Sequence, residues 1–291
     1  MIDFTIYAVT MIAVWAVVAV SLNLQFGLTG LVNFGQILPF AIGAYAAAIM
    51  SVHVGSWWLA PLVAVICAPA LGILVVWPAR RLAQDYWALI TLGAAEIFRL
   101  IMLNFPSIAG GIDGATVQRI GNPLAAMLAA LSLLVLVLAA AQRIASGPFG
   151  RMLRVIREDE TLAATLGRDV FSFQLRISAV TWMIAALAGV LYAHIVGYVA
   201  PTSFMVTDTF IIWTAIILGG SGSNLGAILG TAAIQLTGLA TRFAAQWTAL
   251  PADLLANLRL AAFGLILVLV FLYRPHGLLP ERKRVVDAQH P

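Results

Sequence analysis

The sequence predicts an all-α, polytopic membrane protein with about eight to ten transmembrane helices and one strongly charged cytoplasmic loop. Hydrophobic residues make up 62% of its 291 residues, whereas soluble domains contain roughly 45–50% apolar residues. Several apolar runs reach about 18 residues, which is long enough to cross ~30 Å of hydrocarbon. The runs are continuous and lack the alternation of a membrane β-strand, which favours helices.

The apolar runs predict nine helices. They lie near residues 4–22, 35–52, 57–79, 86–105, 123–145, 176–199, 206–218, 226–241 and 257–273. Glycines and polar residues at 22–36 interrupt the first apolar region, so this segment is expected to form either a turn or an unwound, half-buried stretch. The first run lacks a basic leading segment and a small-residue cleavage site, which predicts a retained helix rather than a signal peptide.

Basic residues are distributed unevenly between the two ends of these helices. The loop 143–176, the short loop 80–85 and the tail 274–291 fall on one side and contain 12 of the 16 Lys and Arg residues, against three on the other side. Since cytoplasmic loops are enriched in Lys and Arg, these three regions are predicted to be cytoplasmic and the N terminus to be outside. The net charge of +4 is therefore attributed to topology rather than to nucleic-acid binding.

The segment 150–176 carries nine of the 28 charged residues. Its apolar residues recur at helical spacing and are expected to form two short stripes, Met152, Val155 and Ile156, then Leu162, Ala163 and Leu166. Gly167 is predicted to end the second helix. The segment could be a solvated loop that only sets topology, a membrane-surface helix, or a helix that docks on another protein. The acidic run 158–160 would be repelled by anionic lipid, which favours docking.

Six segments within residues 21–280 carry a family resemblance. In order they are SLNLQFGLTGLVNFGQILPFAIGAYAAA, YWALITLGAAEIFRLIMLN followed by GGIDG, GRMLRVIREDETLAATLG, LYAHIVGYVAPTSF, ILGGSGSNLGAILG and FGLILVLVFLYRPHGLL. Together they resemble permease subunits of bacterial ABC importers, in particular the M-type permease of the branched-chain amino acid family.

The resemblance implies a single transmembrane permease domain over residues 1–291 in the bacterial cytoplasmic (inner) membrane. It also implies a heterodimer with a second permease subunit, two cytoplasmic ATPase subunits that bind the coupling loop at about 146–175, and a periplasmic or extracellular substrate-binding protein. The expected function is ATP-driven import of branched-chain amino acids by alternating access. Urea, short amides and aromatic acids remain alternative substrates. No cofactor is expected in this chain, because ATP would bind the partner subunits.

The resemblance also suggests which residues contact the ATPases. Such permeases carry a loose Glu-Ala-Ala…Gly pattern in this loop, which Glu160, Ala163, Ala164 and Gly167 fill approximately. With the charges of the loop, the expected ATPase-coupling residues are Arg151, Arg154, Arg157, Glu158, Asp159, Glu160, Ala163, Ala164 and Gly167.

The sequence gives less support to other classes of function. A P-loop ATPase needs lysine followed by Ser or Thr, but the chain's one lysine, Lys283, precedes Arg284. The GGSG at 219–222 matches an intramembrane serine protease motif, which would need a base such as His194 or His276 near the serine. An ion-coupled secondary transporter would need paired acids, of which Glu96 is one. The lone Cys67 excludes an internal disulfide, and no two of the four histidines have metal-ligand spacing.

Polar residues inside the spans are the candidates for a substrate pathway or gate, because intramembrane charge and irregular backbone mark transport sites. Glu96 and Arg99 are predicted to form a self-neutralising pair with a structural or gating role. The segments 22–36 and 219–224 add uncharged polar residues, although a cytoplasmic turn is an equal interpretation of the second. The candidate set is Asn23, Thr29, Gly30, Asn33, Gln36, Glu96, Arg99 and Ser221.

Two stripes of small residues at four-residue spacing predict close helix contacts. They comprise Ala185, Gly189, Ala193 and Gly197, and then Gly222, Gly226 and Gly230. Packing inside the bundle is favoured over a subunit interface. The GGIDG segment at 110–114 is expected to be a turn, with contact to a binding protein as the lesser alternative.

Overall fold

A computed structural model describes residues 2–78 and 84–247, together with scattered positions between 257 and 279. Eleven α-helices lie within these residues: α1 Ile2–Thr29, α2 Ile37–Ile49, α3 Ala60–Val76, α4 Gln84–Asn104, α5 Pro106–Ala109, α6 Pro123–Ser146, α7 Pro148–Glu158, α8 Glu160–Thr165, α9 Val170–Val196, α10 Val206–Gly219 and α11 Asn224–Trp247. Two short strands, β1 Ala115–Thr116 and β2 Tyr198–Val199, pair antiparallel.

The predicted fold class is confirmed. Seven helical segments within the described residues are long and apolar enough to cross a membrane, and α11 adds a shorter apolar stretch, Asn224–Ala240. These eight match eight of the nine predicted spans. The ninth, 257–273, lies outside the continuously described residues, as do most of the loop 80–85 and of the tail 274–291.

Two helix boundaries were predicted wrongly. Helix α1 runs to Thr29 rather than to residue 22, and α9 begins at Val170, six residues before the predicted start at 176. The segment 22–36 is therefore helical over its first half, and only residues 30–36 are unwound. The helix tolerates polar residues there because Asn23 and Gln25 hydrogen-bond to neighbouring helices. The prediction of an unwound stretch holds for 30–36, which is mostly buried rather than half-buried.

Helices α1, α2 and α9 form the centre of the bundle. Helix α9 packs between α2 and α3, and α1 packs against α6, α9 and α11. A Cβ added at Gly189 of α9 would lie 1.9 Å from the carbonyl oxygen of Phe40 in α2, and one added at Gly230 of α11 would lie 1.9 Å from that of Ala215 in α10. The small-residue stripes therefore serve packing inside this chain, as predicted.

Enlarging Gly189 tests this packing. Gly189→Leu is expected to destabilise the protein by at least about 3 kcal/mol, the upper end of overpacking penalties, because rigid backbone rather than a flexible side chain blocks the space. Gly93→Leu is the matched control, since nothing lies within 4 Å of a Cβ added at that helical position. Thermal unfolding of both variants in detergent measures the difference, and equal stability would contradict the packing.

The segment 110–114 forms the expected turn, at the end of the bundle remote from α7 and α8. Gly110, Gly111 and Gly114 all have positive φ angles. The Tyr198 hydroxyl donates a hydrogen bond of 2.5 Å to the carbonyl oxygen of Asp113, and the β1–β2 pair holds the turn against the end of α9. The turn is therefore tied to the segment that follows α9.

Candidate functional site

The charged segment folds into two short helices, α7 and α8, with their apolar residues placed differently from the prediction. Helix α7 buries Gly150, Leu153 and Ile156. Met152 and Val155, which were predicted to share the buried face with Ile156, are only partly buried. Gly150, Leu153 and Ile156 are spaced three apart and form the inward face of α7.

Helix α8 buries one residue of its predicted apolar stripe. Ala163 is fully buried, whereas Leu162 and Leu166 are 51% and 65% exposed. The two leucines lie one turn apart and therefore on the same face of the chain segment. Gly167 follows with a φ of +72°, which confirms the predicted helix stop. We call Leu162 and Leu166 the leucine ridge. The ridge is an exposed apolar surface within a charged segment.

Asp159 separates α7 from α8 and caps the second helix. Its carboxylate accepts hydrogen bonds from the backbone N–H groups of Thr161 and Leu162, at 2.8 and 3.0 Å, and from the Thr161 hydroxyl at 2.5 Å. These donors, the Thr161 hydroxyl first, lower the pKa of Asp159 below its ordinary value. The cap fixes the start of α8 and hence the direction in which the leucine ridge points.

Two other charged residues of this segment bind the membrane helices of the same chain. The Arg157 guanidinium donates a hydrogen bond to the carbonyl oxygen of Gly27, in the last turn of α1. The Glu160 carboxylate accepts one from the side-chain amide of Gln174 in α9. A cation at a helix C terminus also interacts favourably with the helix dipole. Both residues, predicted only as ATPase contacts, thus connect α7 and α8 to the bundle.

Of the remaining members of the predicted coupling set, three are exposed and one is partly buried. Arg151 donates to the carbonyl oxygen of Ser146 at 3.2 Å. Arg154 is partly buried, whereas Glu158 and Ala164 are exposed. The structure therefore brings the predicted set together in one segment but divides it into inward anchors and an outward face.

A network of buried amides holds the unwound segment 30–36. Asn33 Nδ2 donates to Gln25 Oε1 at 3.1 Å and to Gln36 Oε1 at 2.9 Å. Gln36 Nε2 donates to Ser21 Oγ at 2.7 Å, and Gln25 Nε2 donates to Ser178 Oγ in α9 at 3.1 Å. We call these five side chains the amide network. Because buried polar groups are costly unless they are paired, this mutual pairing allows polar residues at the centre of an apolar bundle.

The backbone of the unwound segment binds two further helices. Phe34 N–H donates to the Thr91 hydroxyl in α4 at 3.2 Å, and the Trp213 indole in α10 donates to the carbonyl oxygen of Asn33 at 2.9 Å. The Ile37 N–H donates to the Thr209 hydroxyl, also in α10, at 3.1 Å. Irregular backbone inside a membrane needs such internal partners. The segment is therefore a junction between α1, α2, α4 and α10.

The segments 22–36 and 219–224, whose polar residues were candidates for a pathway, meet near the end of α1. Asn23 Nδ2 donates to Asn224 Oδ1, and Asn23 Oδ1 accepts from Gly222 N–H, each at 2.9 Å. A Cβ added at Gly27 would lie 2.8 Å from the Cα of Gly222. Ser221 is exposed at the tip of the 219–224 loop. The Thr29 hydroxyl donates a hydrogen bond back to the Gln25 carbonyl oxygen. Gly30 faces the Arg157 side chain.

Glu96 and Arg99 form the predicted ion pair in α4, separate from this junction. Arg99 Nη2 lies 2.5 Å from Glu96 Oε1, and Arg99 Nε lies 3.0 Å from Glu96 Oε2. The Arg99 and Glu96 side chains are 21% and 39% exposed. A bidentate pair neutralises both charges within one helix.

His194 does not lie beside Ser221. Ser221 adjoins Gly222, which hydrogen-bonds to Asn23 in the second half of α1. Ser178 in α9 lies at about the same height in the bundle, because it hydrogen-bonds to Gln25 of α1. His194 is 16 residues further along α9, a rise of about 24 Å. The Nδ1 atom of His194 hydrogen-bonds to the carbonyl oxygen of Gln118. His194 is therefore not placed as a base for Ser221, and His276 lies outside the described residues.

The sequence did not indicate a cavity of about 220 Å³ between α1, α9, α10 and α11. Residues that line it include Tyr7, Trp15, Tyr192, Asp208 and Gln235. None of the predicted pathway residues lines this cavity. One signal was present in the sequence, because Asp208 is an acidic residue at the start of an apolar helix, and such charges mark functional positions.

Comparisons with known proteins agree with this architecture. A family described as branched-chain amino acid transport system / permease component matches residues 4–272. The chain is similar to the high-affinity branched-chain amino acid transport system permease protein LivM of Salmonella typhimurium, with 29% identity over 93% of this chain and 69% of that one. It is also similar to the LivH permease protein of that system in the same organism (26%, 95% of each chain).

The similarity extends to an archaeon. The probable branched-chain amino acid transport permease protein LivM of Methanocaldococcus jannaschii is 27% identical over 94% of each chain. No solved structure matches. The chain belongs to the family of permease components of branched-chain amino acid transport systems.

Proposed function

We propose that this chain is one of two different permease subunits of an ATP-driven importer that moves branched-chain amino acids across the bacterial cytoplasmic membrane by alternating access. The observation that carries the proposal is the arrangement of α7 and α8. An exposed leucine ridge faces away from the bundle, and two charged side chains of the same segment bind α1 and α9. A partner that moves the ridge would therefore move the membrane helices.

The ridge has the chemistry of a protein-docking element. Two leucines one turn apart, within a segment rich in both signs of charge, suit an apolar groove with a polar rim on a soluble partner. ATPase subunits of the importer would supply this groove in the cytoplasm. ATP binding and hydrolysis would then change the spacing of two such grooves and pull on α7 and α8.

The junction at the end of α1 would transmit that motion. Arg157 holds the last turn of α1, which contacts the 220–223 loop through Gly27 and continues into the unwound segment 30–36. Unwound segments accommodate changes in helix direction more readily than continuous helices do. Displacement of α7 would thus tilt α1 relative to α10 and α11 and open the pathway to one side at a time.

The comparisons support a second permease as a partner. The chain resembles both LivM and LivH of one organism, two permease proteins of one transport system, which supports a heterodimer of this chain with a second permease. The N terminus would lie outside, the basic tail inside, and an external binding protein would deliver the amino acid to the β1–β2 end. Arg151, Arg154, Glu158 and the exposed Ala164 would contribute to the ATPase contact.

Co-purification tests this composition. The tagged chain is extracted from its native membrane in mild detergent, and the proteins that remain bound are identified by mass spectrometry. We expect a second permease and two P-loop ATPases. A chain that purifies without any ATPase at every salt concentration would contradict the proposal and favour an ion-coupled transporter, with Glu96 as the first residue to replace.

Replacing the leucine ridge tests its role in docking. Leu162→Asp combined with Leu166→Asp is expected to weaken ATPase binding by at least about a hundredfold, because each buried leucine contributes roughly 1.5–3 kcal/mol. Leu162→Met with Leu166→Met is the control, since it keeps the apolar surface and should retain binding. ATPase recovery in the co-purification measures both, and full recovery with the aspartate variant would contradict docking through the ridge.

A further inference from the structure

We propose that one side of α4 is the surface on which this chain packs against the second permease subunit inside the membrane. The assignment rests on the proposed function and goes beyond it by naming the surface. Two independent observations carry it: an ion pair exposed at the middle of the membrane span, and an outward-facing glycine with open space around it. We call Leu89, Gly93, Ile97 and Leu100, with Glu96 at their edge, the α4 face.

Helix α4 has a buried side and an exposed side. Thr91, Ala95 and Met102 are buried, and the helix packs on α2, α3 and α10. On the opposite side Leu89 and Ile97 are 62% and 60% exposed. Helices α3, α4 and α6 are the least buried of the described spans, so lipid or another protein has to cover each of them.

The pair formed by Glu96 and Arg99 lies at the middle of the span. Along the helix, Glu96 is about 15 Å from Tyr86 and about 12 Å from Asn104, which are the two ends of the apolar stretch. The Arg99 guanidinium turns toward Glu96 and therefore does not extend to the headgroups as a lone arginine would. Charged side chains at this depth face protein or water rather than lipid. Lipid is therefore a poor cover for the α4 face.

Gly93 indicates that a second helix approaches α4 closely. Glycine is the least favourable residue inside a helix after proline. Nothing in the described chain lies within 4 Å of a Cβ added at Gly93, so the packing of this chain does not require glycine there. Small residues in membrane helices allow the backbone of a neighbouring helix to come close. Gly93 and Glu96 are three apart, so both observations point to the same side of α4.

The other two exposed spans lack these features. The stretches 60–76 of α3 and 123–141 of α6 contain no charged residue. Leu74 and Leu136 are 67% and 69% exposed there. Because lipid tails are as apolar as leucine, we assign the exposed sides of α3 and α6 to lipid and that of α4 to protein.

The chemistry of Arg99 defines what the partner must present. Within the described chain Arg99 donates hydrogen bonds to Glu96 from Nε and Nη2, and its Nη1 atom has no acceptor there. The facing helix should therefore be apolar and carry a carbonyl, hydroxyl or amide oxygen that accepts from Nη1. An acidic residue is not needed, because Glu96 already neutralises Arg99. Cytoplasmic ATPases and an external binding protein do not reach this depth, which leaves the second permease.

Photocrosslinking identifies what covers the α4 face. A photoreactive amino acid is placed at Ile97 or, as a control, at Leu136 on α6, and the native membrane is irradiated. Position 97 should link to the second permease, whereas position 136 should link to lipid. A link from position 97 to lipid alone, to another copy of this chain, or to residues 248–276 of the same chain would overturn the proposal.

Enlarging Gly93 separates assembly from the folding of this chain. Gly93→Leu should leave the thermal unfolding of the purified chain unchanged, because its Cβ position is open. The same variant should lower recovery of the second permease in the co-purification by at least about tenfold, since a helix that packs on glycine has no room for leucine. Ser132→Leu, at an exposed position of α6, is the matched control and should retain full recovery. Full recovery with Gly93→Leu overturns the interface.

Replacing the ion pair by apolar residues gives a second test. Glu96→Leu combined with Arg99→Leu leaves no unpaired charge in the chain. Recovery of the second permease should nevertheless fall by about tenfold or more, as expected for loss of one hydrogen bond to a charged group. Glu96→Asp keeps the pair and should retain recovery. A lipid-facing helix would instead tolerate the double leucine variant, and full recovery with it would contradict the proposed contact.

The surface and the proposed function fail differently. A native complex that contains a second permease, but in which position 97 does not link to it, overturns the surface and spares the proposed function. A complex that contains ATPases but no second permease overturns the proposed heterodimer, and the α4 face with it.

Discussion

Replacing Arg157 and Glu160 together by alanine is expected to leave the protein in the membrane, with its ATPases bound, while uptake falls by about a hundredfold. The expectation follows from the two anchors, since Arg157 binds the Gly27 carbonyl oxygen and Glu160 binds the Gln174 amide. Each is a hydrogen bond to a charged group, worth about 1.5–3 kcal/mol. Without them the leucine ridge can still dock, but its motion no longer reaches α1 and α9.

Uptake into proteoliposomes and ATP hydrolysis by the same preparation measure this effect. ATP hydrolysis should continue, so the number of molecules imported per ATP should fall. Arg143→Ala is the matched control, because Arg143 is an exposed arginine in the last turn of α6, one helix before the coupling segment. Normal uptake by the double variant would contradict the assignment of both residues to force transmission.

Asn33→Leu is expected to cause the second large effect, destabilising the protein by about 2–6 kcal/mol. Asn33 is fully buried, its Nδ2 donates to Gln25 and Gln36, and its Oδ1 accepts from the Gly35 N–H at 2.9 Å. Leucine would leave the Gly35 N–H and the Gln36 oxygen buried without those partners, and each unpaired group costs about 1–3 kcal/mol. The loss should be larger than for an exposed amide.

Asn104→Leu provides that comparison, because Asn104 is exposed and its side-chain amide donates back to the Leu100 carbonyl oxygen in its own helix. Thermal unfolding in detergent should separate the two variants. Equal stability would show that the amide network does not hold segment 30–36 in place.

Helix identity followed from the sequence because apolar length is a strong local signal. Eight of the nine predicted spans match observed helices. The end of α1 was harder, since residues 22–29 contain amides and glycine, which locally favour a turn. Their helical state depends on partners in distant segments, such as Asn224 for Asn23 and Ser178 for Gln25.

The candidate site was also predicted only in part, because its local features can be read from the sequence and its contacts between distant segments cannot. The charge of the coupling segment and the helix stop at Gly167 are local, and both were predicted. The inward-facing residues were not predicted. The surface on which α7 packs determines that Leu153 rather than Met152 is buried. The approach of Arg157 to Gly27, and of Asp208 to Tyr7 and Gln235 around one cavity, joins residues far apart in sequence, which a single sequence does not reveal.

We propose that α8 contacts an ATPase subunit through the leucine ridge. A photoreactive amino acid placed at Leu166, and as a control at Leu136, which is 69% exposed on α6, tests this in the native membrane. Irradiation should link position 166 to a P-loop ATPase and should not link position 136 to it. A chain that crosslinks at 166 only to lipid, or to proteins without a P-loop, would contradict the account.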